Sequence, residues 1–136
     1  NEDFKYDISL IDWMAKWGRK GDDMQVIRGT LGRLLFTKDH IDKSIKVLSG
    51  GEKRRMIFGK IILQKPNVIV LDEPTNHLDM ETIESLNLAL SRFEGTIVFA
   101  SHDREFISSL ATRIIEIKDD KISDYSSNHE LLRSEA

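Results

Sequence analysis

The sequence predicts an α/β fold in which a helical region is followed by parallel strands, their flanking helices and a C-terminal β-hairpin. Apolar residues recur at helical spacing through roughly the first 35 positions. Further along, two short apolar runs rich in β-branched residues, Val68 to Leu71 and Thr96 to Ala100, are separated by another stretch with helical spacing. Strand, helix, strand is the order of a crossover unit, so we expect the two runs to pair in a parallel sheet.

The composition is that of one globular unit. The chain has 136 residues, of which 40% are hydrophobic and 32% charged, enough apolar material for a core. Its 20 Lys and Arg against 23 Asp and Glu give a net charge of -3, which argues against nonspecific nucleic-acid binding. No apolar run exceeds four residues, so membrane insertion is not expected. The absence of cysteine agrees with a reducing, cytoplasmic compartment, and a start on Asn1 suggests a piece of a longer protein.

Residues 1–47 are predicted to form a helical subdomain. Ser9 fits the cap of a first helix that runs to about Trp17, and Asp22 or Asp23 fits the cap of a second. The two Trp of the first helix could form a platform for a ligand or pack in the core, and an aromatic stripe at helical spacing favours the core. A polar connector containing His40 follows.

Residues 48–136 are predicted to form the α/β part. The uninterrupted apolar run from Val68 is typical of a strand buried on both faces. The other predicted elements are a third helix closed by Pro66, a fourth ended by Gly95, a short one capped by Asp103, a hairpin of Arg113 to Lys118 with Lys121 to Tyr125 around Asp119 and Asp120, and a last turn from Asn128 through Leu132.

Polar residues follow both predicted strands. Asp72 and Glu73 come after the first, and Ser101 and His102 come after the second. The carboxyl ends of parallel strands are where α/β sheets bind ligands. One acid there suits a hydrated Mg²⁺, and its neighbour could orient or deprotonate a water for attack on a phosphoryl group. The simpler alternative is that the two acids only start a turn before Pro74.

Leu48–Glu52 (LSGGE) begins the third helix with a hydroxyl and two glycines. Backbone N–H groups at such a helix start can approach an anion closely, which favours phosphate binding. The alternative is an ordinary Ser cap followed by permissive glycines.

Four blocks taken in order resemble the ATP-binding cassette (ABC) ATPases. They look like that family's signature motif (Leu48–Glu52), Walker B motif (Val70–Pro74), D-loop (Thr75–Asp79) and switch histidine (Ser101–Asp103). The run from Glu73 to Asp79 is similar to the ABC-F subfamily, twin-cassette proteins of which many act on the ribosome in translation. The resemblance implies a partial P-loop NTPase (ABC cassette) fold, with 1–47 as the helical (signature) subdomain and 48–136 as the C-terminal part of the ATPase core.

The resemblance also implies roles at the predicted strand ends, with ATP and Mg²⁺ as ligands. Asp72 would hold Mg²⁺, Glu73 would act as general base, and His102 would sense the γ-phosphate. Asn76 and Asp79 would lie at the interface with a second ABC cassette, of the same or a partner chain.

The signature residues would serve a different site. In this family Ser49, Gly50 and Gly51, with Glu52, contact ATP bound to the opposite cassette. This sequence has no P-loop of the form G-x-x-x-x-G-K-[ST], and the pair Gly59-Lys60 lies inside a predicted helix. We therefore expect two half-sites and an isolated chain that is inactive. Because its strands lack partners, we also expect that chain to associate with itself or to be partly disordered.

Several alternatives stay open. The parent could be an ABC-F ATPase acting on the ribosome and its rRNA or an ATPase subunit of a membrane transporter, and the chain alone could be a non-catalytic interaction module. Lys53, Arg54 and Arg55 could contact phosphate or rRNA, or form a solvated helix face, which is favoured. The four histidines are too far apart in sequence for a paired metal motif, so no transition metal is expected.

Overall fold

The computed structural model describes residues 4–19 and 23–126. Its α-helices are Leu10–Ala15 (α1), Met24–Arg33 (α2), Lys38–Ile41 (α3), Gly50–Leu63 (α4), Met80–Ser91 (α5) and Arg104–Leu110 (α6), with a 3₁₀ segment at Ile45–Val47. Its strands are Val68–Asp72 (β1), Thr96–Ala100 (β2), Ile114–Lys118 (β3) and Lys121–Tyr125 (β4). The predicted last turn at Asn128 to Leu132 lies outside the described residues.

Side-chain caps set the helix starts that the sequence predicts. Ser9 accepts a hydrogen bond from the Asp12 N–H, and Asp23 caps α2. The first helix ends at Ala15 rather than near Trp17, because the Trp17 N–H bonds the Met14 carbonyl three residues back and tightens the last turn. The polar connector is also more ordered than expected, since it contains α3 and the 3₁₀ segment.

The helical region encloses its own core. Trp13 is buried there and stacks on Phe4, which confirms the core interpretation of this Trp, whereas Trp17 is half-buried at its edge. Helix α4 belongs to both parts of the molecule because Met56 and Leu63 pack in this core while Phe58 and Ile61 also pack towards the sheet. The buried set consists of Phe4, Leu10, Ile11, Trp13, Met14, Ile27, Leu31, Leu34, Phe36, Ile45, Leu48, Met56, Leu63 and Ala89.

Strands β1 and β2 pair in parallel, as predicted, with Val68 opposite Thr96 and Asp72 opposite Ala100. Among residues 4–19 and 23–126, side chains cover only one face of the pair. Ile69 packs with α5 and α6 residues, but the Val70 side of the sheet is open, with Val70 74% and Val98 55% exposed. The expectation of burial on both faces is therefore wrong for this chain, because α4, α5 and α6 all pack on the same face.

The hairpin of β3 and β4 forms where the sequence predicts it. Asp119 and Asp120 both have positive φ, 50° and 57°, which is the geometry of a tight two-residue hairpin turn. At the other end, Arg113 donates two hydrogen bonds to the Asp124 carboxylate, at 3.0 and 2.6 Å. These bonds lower the pKa of Asp124 and tie the two strand ends together.

Candidate functional site

Asp72 and Glu73 lie beside the end of β2 because of the strand register. Asp72 is the last residue of β1 and faces Ala100, the last residue of β2. The backbone continues this pairing for one more step, since the Glu73 N–H donates to the Ala100 carbonyl at 2.8 Å. The acids and the Ser101–His102 pair therefore emerge side by side at one edge of the sheet.

The Glu73 backbone turns the chain sharply away from β1. Its φ is 45°, a left-handed conformation that is uncommon for a residue with a side chain. Its carboxylate Oε1 lies 3.3 Å from Nε2 of His102, and the Glu73 side chain is 27% exposed whereas that of His102 is 97% exposed. We call Asp72, Glu73 and His102 the strand-end cluster; its His102 side chain is open to solvent.

A capped turn holds the backbone of His102. The Asp103 N–H donates to the Ser101 hydroxyl oxygen at 3.0 Å, and the Asp103 carboxylate accepts from the Phe106 N–H at 3.0 Å, which starts α6. Phe106 in turn packs edge-to-face on Phe99 of β2. These contacts fix the position of the turn while leaving the imidazole free to meet a ligand.

The signature residues form the exposed start of α4. Ser49 and Glu52 make a capping box, in which Oγ of Ser49 accepts from the Glu52 N–H and Oε1 of Glu52 accepts from the Ser49 N–H, both at 3.2 Å. A Cβ added at Gly50 would meet nothing within 4 Å, so the helix start is open there. At Gly51 the same Cβ would lie 3.2 Å from the Asp79 carboxylate.

The turn from Glu73 to Asp79 connects the strand-end cluster to α5. The Asn76 N–H bonds the Glu73 carbonyl at 3.2 Å, and His77 has a positive φ of 59°. Asp79 starts α5, and the neighbouring Thr82 side chain is the largest cause of its lowered pKa. Asn76 and Asp79 are both exposed.

Arg54 joins the start of α4 to this turn. Its Nη1 donates to the carbonyl oxygens of Asn76, at 3.1 Å, and His77, at 3.2 Å. Across residues 4–19 and 23–126, no hydrogen bond or ion pair connects Ser49–Glu52 directly to Glu73 or His102. The structure thus places the expected site residues in two groups, one at the strand ends and one at the start of α4, that meet through the turn and Arg54.

A family model described as ABC transporter matches residues 2–76, more than half of the chain. The chain belongs to the ABC transporter family.

Curated relatives place this cassette beside ABC-F proteins, as the sequence resemblance implied. It is 59% identical over 128 residues to the probable ATP-binding protein YbiT of Escherichia coli O157:H7, covering 94% of this chain and 24% of that protein. It is 43% identical to ABC transporter F family member 5 of Arabidopsis thaliana, covering 76% of this chain and 15% of that protein. The chain thus spans about a quarter or less of the length of these relatives.

A solved structure confirms the fold. The dimeric structure of a post-hydrolysis state of the ATP-binding cassette MJ0796, bound to ADP and Pi, matches with a TM-score of 0.64 at 20% identity. The match covers 88% of this chain and 56% of that one. The described part of the cassette is therefore a portion of a P-loop NTPase fold, and no helix in it is long and apolar enough to cross a membrane.

Asp72 is the residue at the sheet edge that could hold Mg²⁺. Within the described ranges, no three His, Asp or Glu side chains converge as a ready-made metal site. Mg²⁺ is commonly held by one or two carboxylates together with water and substrate phosphates, so the single exposed carboxylate of Asp72 at the sheet edge suits it.

The basic run after the signature glycines is not a uniformly solvated helix face, because Arg54 is exposed whereas Arg55 is buried. Arg55 is only 9% exposed, and it donates to the Leu34 carbonyl and lies 3.9 Å from Glu81. Lys53 lies over the Phe4 ring, and Arg54 bonds the turn carbonyls described above. Sequence reasoning missed these roles because every partner is remote in the chain. The Gly59-Lys60 pair does lie within α4, as expected.

Proposed function

We propose that the protein containing this chain is an ABC-F type ATPase that binds ATP with Mg²⁺ between paired cassettes and hydrolyses it. The observation that carries the proposal is the strand-end cluster, in which Glu73 Oε1 and His102 Nε2 lie 3.3 Å apart and Asp72 ends the adjacent strand β1. Family membership and the cassette fold support it. Relatives named as ATP-binding proteins support it as well.

Each member of the strand-end cluster has a distinct proposed role. Asp72 holds Mg²⁺, which when bound neutralises charge on the phosphates. Glu73, whose backbone is held in the left-handed region, orients a water and accepts its proton. His102, whose side chain is 97% exposed, contacts the γ-phosphate and detects its presence.

The start of α4 serves a second ATP molecule, bound to the opposing cassette. Its exposed Gly50 presents a backbone N–H group, and Ser49 presents its hydroxyl, to the γ-phosphate at the positive end of a 14-residue helix. Glu52 keeps the capping box closed, and a side chain at Gly51 would require the Asp79 carboxylate to shift. Asn76 and Asp79 lie at the interface between cassettes.

The cellular role that we propose is regulation of translation by a cytoplasmic protein that acts on the ribosome. ABC transporter F family members are among the relatives, which supports this role over that of an ATPase subunit of a membrane transporter. Co-sedimentation of the full-length protein with ribosomes in the presence of ATP would support it. Co-purification with membrane-spanning subunits would instead favour the transporter alternative.

The hydrolysis proposal is tested with Glu73→Gln in the full-length protein. Loss of the carboxylate is expected to lower the ATPase kcat by about 10²–10⁴-fold while ATP binding persists. Glu105→Gln, an exposed acid on α6, removes the same charge and is expected to leave the rate unchanged. Equal rates for wild type and Glu73→Gln would overturn the role of Glu73. The 136-residue chain alone is expected to show no turnover, and measurable turnover would contradict that expectation.

A further inference from the structure

A cleft at the opposite end of the sheet carries a concentration of positive charge. Its volume is about 490 Å³, which is within the usual size of ligand sites. Four cationic side chains and one carboxylate line it: Arg19, Arg33, Lys65, Arg92 and Glu94. This cluster contrasts with the net charge of -3 carried by the whole chain.

The cleft lies far along the strands from the strand-end cluster. Asn67 and Gly95, which line it, immediately precede β1 and β2, whereas Asp72 and His102 are at or beyond the other ends of these strands. Buried apolar side chains such as Leu34 form part of the wall. No residue of the proposed ATP site lines the cleft, so the two sites are separate.

The negative C-terminal ends of three helices offset only part of this positive charge. Helices α2, α4 and α5 all end at the cleft, with Arg33 in the last turn of α2, Lys65 just after α4 and Arg92 as the cap of α5. Each helix C-terminus carries about half a negative charge, so three of them offset about 1.5 positive charges. The lining side chains carry a net formal charge of about +3, which is more positive charge than the three helix ends offset.

Two of the cations are not committed to carboxylates. Among the described residues, no acidic side chain forms an ion pair with Arg33 or Arg92, and both side chains are exposed. The Arg19 guanidinium donates to the Lys65 carbonyl at 3.1 Å and thereby fixes the chain where it leaves α4. Guanidinium groups bind phosphate oxygens in a bidentate manner, better than they bind single-point anions.

We propose that this cleft is a binding site for phosphate groups, in which Arg33 and Arg92 make the main contacts. The phosphates could belong to a single-stranded RNA backbone or to a free polyphosphate compound, since both present the same oxygens. The proposal does not depend on ATP hydrolysis. Binding at the cleft is therefore expected to survive Glu73→Gln.

The test measures binding of two probes to the 136-residue chain and to the full-length protein. A fluorescent uridine oligonucleotide is followed by anisotropy, and inorganic tripolyphosphate is followed by calorimetry, each across a series of KCl concentrations. The double variant Arg33→Gln/Arg92→Gln is expected to weaken binding of the preferred probe by about tenfold. With RNA, losing two phosphate contacts should reduce the salt slope by about 1.4.

Matched variants distinguish binding at the cleft from attraction by the overall charge of the protein. Arg28→Gln/Lys118→Gln removes the same charge from exposed positions outside the cleft and is expected to change affinity less than about twofold. Arg33→Lys/Arg92→Lys keeps the charge and should retain the salt slope with weaker affinity. Circular dichroism checks that each variant is folded.

The outcomes divide cleanly. Tighter binding of the oligonucleotide identifies an RNA backbone as the source, and tighter binding of tripolyphosphate identifies a free polyphosphate; both support the site. No binding of either probe, or equal losses in the cleft variant and the Arg28/Lys118 control, would overturn the proposal.

Discussion

The helical region and the sheet region of this cassette differ in how completely they bury their apolar residues. Among the described residues, the helical core contains fourteen buried residues, contributed by four of the six α-helices, the 3₁₀ segment, the connections beside it and the segment before α1. The sheet core has four, which are Ile69, Leu86, Leu90 and Phe106. The other face of β1 and β2 is open at Val68, Val70 and Val98, and the hairpin exposes Ile115, Ile117 and Ile122.

This difference separates two kinds of apolar pattern. The apolar stripe of an amphipathic helix indicates which face packs in the core. In the helical region, other helices of the same chain cover that face. An uninterrupted apolar strand is typical of a strand buried on both faces. Here the described residues cover only one face. We expect the open face to be the surface through which the isolated chain associates with itself.

The largest contrast is expected from the same substitution made in each region. Leu31→Ala removes a fully buried side chain from the helical core and is expected to cost about 3 kcal/mol of unfolding free energy. Leu71→Ala removes a half-buried side chain of β1 and is expected to cost about 1 kcal/mol. Urea denaturation of the two variants measures both values. Equal costs would show that the sheet core is as enclosed as the helical one.

Two glycine substitutions test how tightly the helical region is packed at different positions. A Cβ at Gly59 of α4 would lie 2.6 Å from both Leu34 Cδ1 and Met14 Cε, so Gly59→Ala is expected to cost about 1–2 kcal/mol through overpacking. Gly29→Ala in α2 meets nothing within 4 Å and is expected to gain about 0.5–1 kcal/mol from helix propensity. Thermal melts distinguish the two. A gain in both variants would mean that the core around α4 is loosely packed.

The smallest effect on stability is expected on the open sheet face. Val70→Thr and Val98→Thr should change the unfolding free energy by less than about 0.5 kcal/mol, because both side chains already contact solvent. Ile69→Thr, on the covered face of the same strand, is expected to cost about 2 kcal/mol. Sedimentation velocity should show less self-association for the two valine variants. Unchanged association would place the contact elsewhere.

Most of the fold was predictable from local patterns. The starts of α1, α4 and α6 follow from caps at Ser9, Ser49 and Asp103, and the β3–β4 hairpin follows from the Asp119-Asp120 pair. The connector helices were missed because polar residues gave no apolar period to detect. They are held by remote contacts, including the bond from the Leu10 N–H to the Lys43 carbonyl.

The candidate site was predictable as a set of residues but not as an arrangement. Motif order pointed to Asp72, Glu73 and His102, and strand register explains why they share an edge. The hydrogen bonds from Arg54 to the Asn76 and His77 carbonyls could not be predicted from the sequence, because every residue type carries the same backbone carbonyl. The basic cleft could not be predicted from the sequence either, since Arg33 and Arg92 are brought together only by the packing of α2 and α5.

The topology of the two strand pairs has a consequence for the order of folding. Strands β3 and β4 are joined by two residues, and hairpins of this kind close within about 1–10 μs. Strands β1 and β2 must close a loop that contains the whole of α5, so their pairing carries a larger entropic cost and comes later. We therefore expect Asp72, Glu73 and His102 to meet only after the hairpin has closed. A nascent chain in which β1 and β2 have not yet paired would not hold in one place the residues that we propose for hydrolysis.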